Sequence, residues 1–145
     1  MLRPVARQLV IQMLYEQLAG GNADSDSLQL AHELLQNKDE TSTSDSKDYV
    51  DTYVNSTIEG VNAHMSQIDE YISESLSKEW PFSRLAYINI CILRLATYEL
   101  YYCNDIPNNV VISEAIALAE KYTDPKSSRF INGVLGSMER KMQKG

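Results

Sequence analysis

Apolar residues recur at intervals of three and four along nearly the whole chain, which is the spacing of one face of an α-helix. A first helix is predicted from Pro4 to Leu18, because proline is tolerated in a first turn and Gly20-Gly21 follows as a stop signal. A short second helix is predicted over residues 28–35, where leucines repeat. Residues 37–47 contain no large apolar side chain, so they are predicted to form a variable surface loop.

The second half of the chain continues the helical pattern with clear interruptions. A long helical stretch is predicted from Asp48, with a bend at residues 62–66, and it ends before Trp80-Pro81. The segment after the capping candidate Ser83 is apolar around most of its circumference, so it is predicted to be a central helix surrounded by others. Two more helices follow, and Ser127 is the predicted cap of the last one. The sequence therefore predicts an all-α, single-domain bundle of about seven helices over residues 1–145.

Composition restricts the classes of protein to which this chain can belong. With 145 residues, of which 43% are hydrophobic, it can build one core. No run of about 18 apolar residues is present to span a membrane, and no secretory signal is visible. Two cysteines, Cys91 and Cys103, are too few for a disulfide framework or a four-ligand zinc site. These features favour a reduced, cytoplasmic protein.

The charge is unevenly distributed. The chain has a net charge of −7. Residues 1–20 have a net charge of +1 and residues 121–145 one of +4, so residues 21–120 have a net charge of −12. If the two ends meet in the fold, they form a modest basic face on an acidic body. Such asymmetry suits one polyanionic and one basic partner, although ordinary solvated charge would give the same pattern.

The sequence contains few side-chain patterns that are typical of catalytic or metal sites. His32 and His64 are the only histidines, and neither has an acidic residue at a spacing suited to metal binding. Glycine-rich phosphate loops are absent, and Cys91 lies in the most apolar segment, where an inert core residue is expected. The sequence thus predicts neither an enzyme, nor a metal site, nor a cofactor.

Arg94 interrupts the most apolar segment, so its charge needs a partner. An unpaired buried guanidinium would be costly, and a structural ion pair with Glu99 or Glu114 is therefore expected, with a ligand contact as the alternative. Tyrosines 87, 98, 101 and 102 cluster on or near the same helix. Packing within the protein is the favoured interpretation, and stacking of RNA bases is the alternative.

The segment from Lys121 to Phe130 has the features of an anion site. Lys121, Lys126 and Arg129 surround a turn into a helix whose first residues include Ser127. A helix N-terminus with nearby cations binds anions, and Phe130 adds an aromatic face for an unstacked base.

Residues 94–135 resemble the C-terminal signature of the NusB transcription antitermination family. The family pattern runs Leu-Arg-(Leu/Ile)-Ala-x-Tyr-Glu-Leu, Asp-(Ile/Val)-Pro, Ile-Asn-Glu-Ala-(Ile/Val)-x-Leu-Ala-Lys and Phe-Val-Asn-Gly-Val-Leu. The matching positions are Arg94, Tyr98, Glu99, Leu100, Asp105, Pro107, Glu114, Ala115, Leu118, Ala119, Phe130, Asn132, Gly133, Val134 and Leu135. The N-terminal segment ARQLVIQMLYE is similar to the family's opening helix, so the resemblance covers nearly the whole chain.

The resemblance implies a seven-helix protein without enzymatic activity. It would bind the single-stranded boxA element of ribosomal RNA leader transcripts together with NusE, a basic small-subunit ribosomal protein. It would act within an RNA polymerase antitermination complex. The RNA contacts of the family correspond to Arg3, Arg7, Lys126, Ser127, Arg129 and Phe130. The NusE contacts correspond to Tyr15, Ala19 and Asn89.

Departures from the family pattern predict differences in how this chain binds RNA and NusE. Only two basic residues lie among the first ten, which predicts weak RNA binding without the protein partner. Asn89-Ile90 stands where the family often has an acidic and then a basic residue, so a charged contact with NusE is in question. The alternative hypothesis is a helical protein–protein adaptor that has lost RNA binding. NusB-like proteins occur as monomers and homodimers, and the sequence leaves both open.

Overall fold

The structure, a computed structural model, describes residues 3–20 and 44–144, with the side chains of 6–20 and 51–142. Within these ranges every regular element is helical, so the all-α prediction is confirmed. The six α-helices are α1 (Arg3–Leu18), α2 (Ser44–Ala63), α3 (Met65–Glu74), α4 (Tyr87–Tyr102), α5 (Asn108–Tyr122) and α6 (Pro125–Lys144), and a 3₁₀ turn at Phe82–Arg84 precedes α4. The short helix predicted over residues 28–35 lies outside the described residues, which accounts for six helices here rather than about seven.

The chain divides into two compact units, Met1–Gly60 and Val61–Gly145. In the first unit, α1 buries an apolar face that includes Leu9, Val10 and Leu14. The helix ends where the sequence predicts, because Gly20 has a φ of +94°, a conformation that a side chain disfavours. The single domain predicted over residues 1–145 stays a prediction.

The second unit is built around α4, which packs against α3, α5 and α6. Ten residues of α4 are buried, as the prediction of a central helix requires. The bend predicted at residues 62–66 is also confirmed, since α2 ends at Ala63 and α3 begins at Met65. In the described residues no helix is long and apolar enough to cross a membrane.

Two predicted boundaries are wrong. The predicted loop at 37–47 ends earlier, because α2 already begins at Ser44; its other residues, 37–43, lie outside the described part. Serine and aspartate favour a first helical turn, so a polar composition there does not indicate a loop. Ser83 does not cap α4, since it belongs to the 3₁₀ turn and Ala86 occupies the N-cap position without a side-chain hydrogen bond.

Candidate nucleic-acid interface

The turn into α6 is fixed by an aspartate rather than by the predicted serine cap. Pro125 begins the helix, and the Oδ1 atom of Asp124 accepts a hydrogen bond of 2.7 Å from the backbone N–H of Ser127. This hydrogen bond is the main reason why the pKa of Asp124 lies below its usual value. Ser127 is therefore the donor in the cap and not the capping side chain. The helix N-terminus predicted to receive an anion already holds the Asp124 carboxylate.

The cations of this turn remain available for an anionic ligand. Lys126 and Arg129 are exposed, whereas Ser127 and Phe130 are half-buried. These four residues lie within five consecutive positions of one helix, so the structure brings them together as predicted. Phosphate contacts would come from the two side-chain cations, and the exposed part of the Phe130 ring offers a surface for a base. Lys121 lies 5.8 Å from the centre of the Tyr122 ring, at the end of α5.

Arg7 is not exposed as the predicted RNA contact requires. Arg7 is only 2% exposed and makes interactions within the protein, so in this conformation its guanidinium does not reach solvent. The helical spacing of the sequence predicts this burial, because Arg7 shares a face with the buried residues Val10, Ile11 and Leu14. Arg3 begins α1, but its side chain lies outside those described. The joint basic face of both chain ends stays a prediction.

Arg94 forms the predicted ion pair, but with a different carboxylate. Its Nε and Nη2 atoms donate hydrogen bonds of 2.9 Å each to the two carboxylate oxygens of Asp69 on α3. The guanidinium also lies 5.6 Å from the centre of the Phe82 ring. Glu99 and Glu114 were the predicted partners, and Glu99 is five residues along the same helix, on another face. Arg94 thus joins α3, α4 and the 3₁₀ turn and is not exposed as a ligand contact.

Three of the four tyrosines, 98, 101 and 102, stack on other rings of the protein, as the favoured interpretation predicted, whereas Tyr87 is 50% exposed. Tyr71 and Tyr101 stack with ring centres 3.8 Å apart, and Tyr102 stacks on His64 at 4.1 Å. Tyr98 lies against Tyr102 at 5.6 Å. These ring faces hold α3 and the end of α4 together. Among the described residues, no group of three or more histidine, cysteine or acidic side chains is arranged to hold a metal ion.

Comparison with known proteins identifies the family. The model of the NusB family matches residues 4–140. The chain belongs to the NusB family. The transcription antitermination protein NusB of Clostridium botulinum (strain Kyoto / Type A2) is 40% identical over 144 residues, which cover 95% of this chain and 99% of that protein. The NusB resemblance of the sequence is therefore confirmed over nearly its full length.

Solved structures of NusB proteins share this fold. The structure of T. maritima NusB is 34% identical, with a TM-score of 0.69, and the match covers 95% of this chain and 90% of that one. A second structure contains the antitermination factors NusB and NusE in complex with dsRNA. It is 27% identical to this chain, with a TM-score of 0.70 and 96% of each chain covered.

The three residues predicted to contact NusE differ in exposure in this NusB family member. Tyr15 is 42% exposed, and Ala19 is also exposed near the end of α1. Asn89 is buried in the first turn of α4, and its Oδ1 atom accepts no hydrogen bond from the residues that the structure describes. A contact surface at Tyr15 and Ala19 is thus open to a partner, whereas Asn89 would need a local rearrangement to reach one.

Proposed function

We propose that this chain is a non-enzymatic, cytoplasmic transcription antitermination factor. It binds single-stranded boxA RNA of ribosomal RNA leader transcripts together with NusE, and it acts with them in an RNA polymerase antitermination complex. Membership of the NusB family supports this proposal, as does the related structure that contains NusB, NusE and RNA.

The turn into α6 carries the proposal, because it presents cations and an aromatic ring within one helical turn. Lys126 and Arg129 neutralise phosphates, and the exposed part of Phe130 stacks against an unpaired base. The Asp124 carboxylate caps the helix at this turn and repels phosphate, so it limits the affinity. RNA binding by this surface is therefore modest, and its affinity falls as the salt concentration rises.

The burial of Arg7 supports dependence on the protein partner. With its side chain buried, the N-terminal basic cluster loses one of its two cations as a phosphate contact. A basic partner such as NusE supplies further positive charge to the RNA and docks against the acidic body, whose residues 21–120 carry −12. Tyr15 and Ala19 are the exposed positions for that partner on α1.

The test is RNA binding by fluorescence anisotropy at two salt concentrations. The parent protein is titrated into single-stranded boxA RNA, a scrambled strand and a duplex of the same sequence, with and without NusE. Charge reversals Lys126→Glu and Arg129→Glu are compared with Lys78→Glu, which changes an exposed cation on the segment between α3 and α4. Each reversal on α6 is expected to weaken boxA binding and to lower the salt dependence, because it removes a phosphate contact.

The outcomes separate the proposal from its alternative. The antitermination function is supported if the protein prefers boxA and this preference increases with NusE. The preference should be lost on charge reversal at Lys126 or Arg129 but not at Lys78. Association with NusE without any preference for boxA contradicts it and leaves the protein–protein adaptor. If the isolated protein binds boxA as tightly as the binary complex does, the dependence on the partner is wrong.

A further inference from the structure

The solvent-facing side of α6 is basic well beyond the turn at its N-terminus. At about 100° per residue, Lys126, Arg129, Gly133 and Arg140 fall within about 60° of arc on the helix surface. The three cations of this set are exposed, and so is Gly133. From Lys126 to Arg140 the helix rises about 21 Å. We call these four positions the α6 basic face.

The opposite side of α6 is the one that packs into the protein. Ile131, Val134, Leu135 and Met138 are at most 4% exposed, and by register they lie about 110–170° from the centre of the basic face. The only acidic residue of the helix, Glu139, lies about 110° from that centre. The α6 basic face is therefore exposed along its length and carries no carboxylate of its own helix.

The middle of the α6 basic face carries no side chain, because Gly133 lies there, and Gly136 lies beside the face. A Cβ atom at Gly133 would meet nothing within 4 Å, so no neighbouring group of the protein requires glycine at this position. At Gly136 the Nη1 atom of Arg140 lies 3.5 Å from the place of a Cβ, so that guanidinium lies back over the preceding helical turn. A polyanion that passes from Arg129 to Arg140 can thus approach the helix closely at Gly133.

We propose that the α6 basic face is a track for the RNA backbone, which carries nucleotides flanking the element bound at the turn. Arg140 is the far phosphate contact of this track. The inference rests on the proposed RNA-binding function and adds to it a second contact region and its extent. Charge complementarity identifies the occupant as a polyanion, and the adjoining turn with Phe130 identifies that polyanion as RNA.

The experiment compares two RNA strands on the same protein. One strand is the boxA element alone, and the other is the same element extended on either side by enough nucleotides to span α6. Fluorescence anisotropy of both strands is measured with the NusE complex at several salt concentrations. Arg140→Gln is compared with Lys78→Gln, which removes an exposed cation outside α6. Gly133→Glu is compared with Gly133→Gln, two variants of the same size that differ by one charge in the middle of the track.

The expected result is a selective effect on the extended strand. Loss of one phosphate contact to a single strand lowers affinity about fivefold at about 0.1 M salt and reduces the salt slope by about 0.7. Arg140→Gln should show this loss with the extended RNA and little change with the element alone, whereas Lys78→Gln should match the parent. Gly133→Glu should weaken binding of the extended RNA more than Gly133→Gln does, because only the glutamate adds a negative charge to the track. Circular dichroism of each variant confirms that the helices are retained.

Other outcomes overturn the inference in distinguishable ways. If the parent binds boxA but gains nothing from either extension, and Arg140→Gln has no effect, the track is wrong while the proposed function stands. If Arg140→Gln weakens binding to NusE rather than to RNA, the α6 basic face is a protein contact and the inference is wrong. If no RNA binds at all, the proposed function fails, and the track fails with it.

Discussion

Breaking the ion pair between Arg94 and Asp69 should destabilise the second compact unit. In Asp69→Asn, one of two hydrogen bonds to the guanidinium is lost, and the introduced amide nitrogen faces the donor Nη2. The side chains of Arg94 and Asp69 are 13% and 29% exposed, so the pair is neither fully solvated nor fully buried. Its rupture should cost more than the upper value of about 1 kcal/mol for surface pairs and less than the 3–5 kcal/mol for buried ones.

An intermediate estimate follows from the hydrogen bonds. A hydrogen bond to a charged group contributes about 1.5–3 kcal/mol, and solvent at Asp69 weakens it, so we expect a loss of about 2 kcal/mol in the free energy of unfolding. For a chain of this length such a loss lowers the Tm by about 7 °C. The contact of Arg94 with the Phe82 ring persists in Asp69→Asn and does not contribute to the difference.

The assay is urea and thermal unfolding followed by circular dichroism. Glu70→Gln is the matched control, because it removes an exposed carboxylate next to Asp69 and should change stability by less than about 0.5 kcal/mol. The double variant Asp69→Leu, Arg94→Met should recover part of the loss, because no charge is then left unpaired. If Asp69→Asn is as stable as Glu70→Gln, the ion pair does not hold α3 to α4, and the reasoning is refuted.

Three smaller predictions use the same preparations. Asp124→Ala should lower the free energy of unfolding at neutral pH. Because the pKa of Asp124 in the folded protein lies below its usual value of 3.8, the difference between variant and parent should fade in urea titrations as the pH falls below 3.8. A difference that persists in acid contradicts this. Gly133→Ala should raise the free energy of unfolding by about 0.5–1 kcal/mol, since a Cβ there meets nothing within 4 Å; an unchanged urea midpoint contradicts it. Burial raises the pKa of Cys91 to about 11, so alkylation should label Cys91 far more slowly than the half-buried Cys103. Peptide mapping measures the two labelling rates, and equal rates would contradict the burial of Cys91.

Helix positions could be predicted from the sequence because local signals determine them. Apolar spacing located α4 as the central helix, and Gly20 marked where α1 ends, whereas α3 ends at Glu74, six residues before Trp80. Capping residues were harder to assign, because several polar side chains compete within each turn. At α6 the choice between Asp124 and Ser127 depends on one hydrogen bond, and proline at the first helical position favours the residue before it as the cap.

The candidate site shows which functional residues a sequence can predict. Lys126, Arg129 and Phe130 lie together because they are neighbours in one helix, so their grouping required no knowledge of the tertiary fold. The partner of Arg94 could not be found in this way, because Asp69 is 25 residues away and meets it only where α3 packs on α4. Helical register alone indicates that Arg7 lies on a buried face, because Val10 and Leu14 lie on the same side of α1.

The burial of Arg7 changes where RNA affinity must come from. If the first helix contributes little, α6 has to supply most of the phosphate contacts made by this chain, and its first turn offers only Lys126 and Arg129. Two contacts give a salt slope of only about 1.4 on a single strand, which is weak for specific recognition. Either NusE supplies the remaining charge or the strand continues along α6 to Arg140. The salt slope of the isolated protein, measured with short and extended RNA, distinguishes these two sources because only the second depends on RNA length.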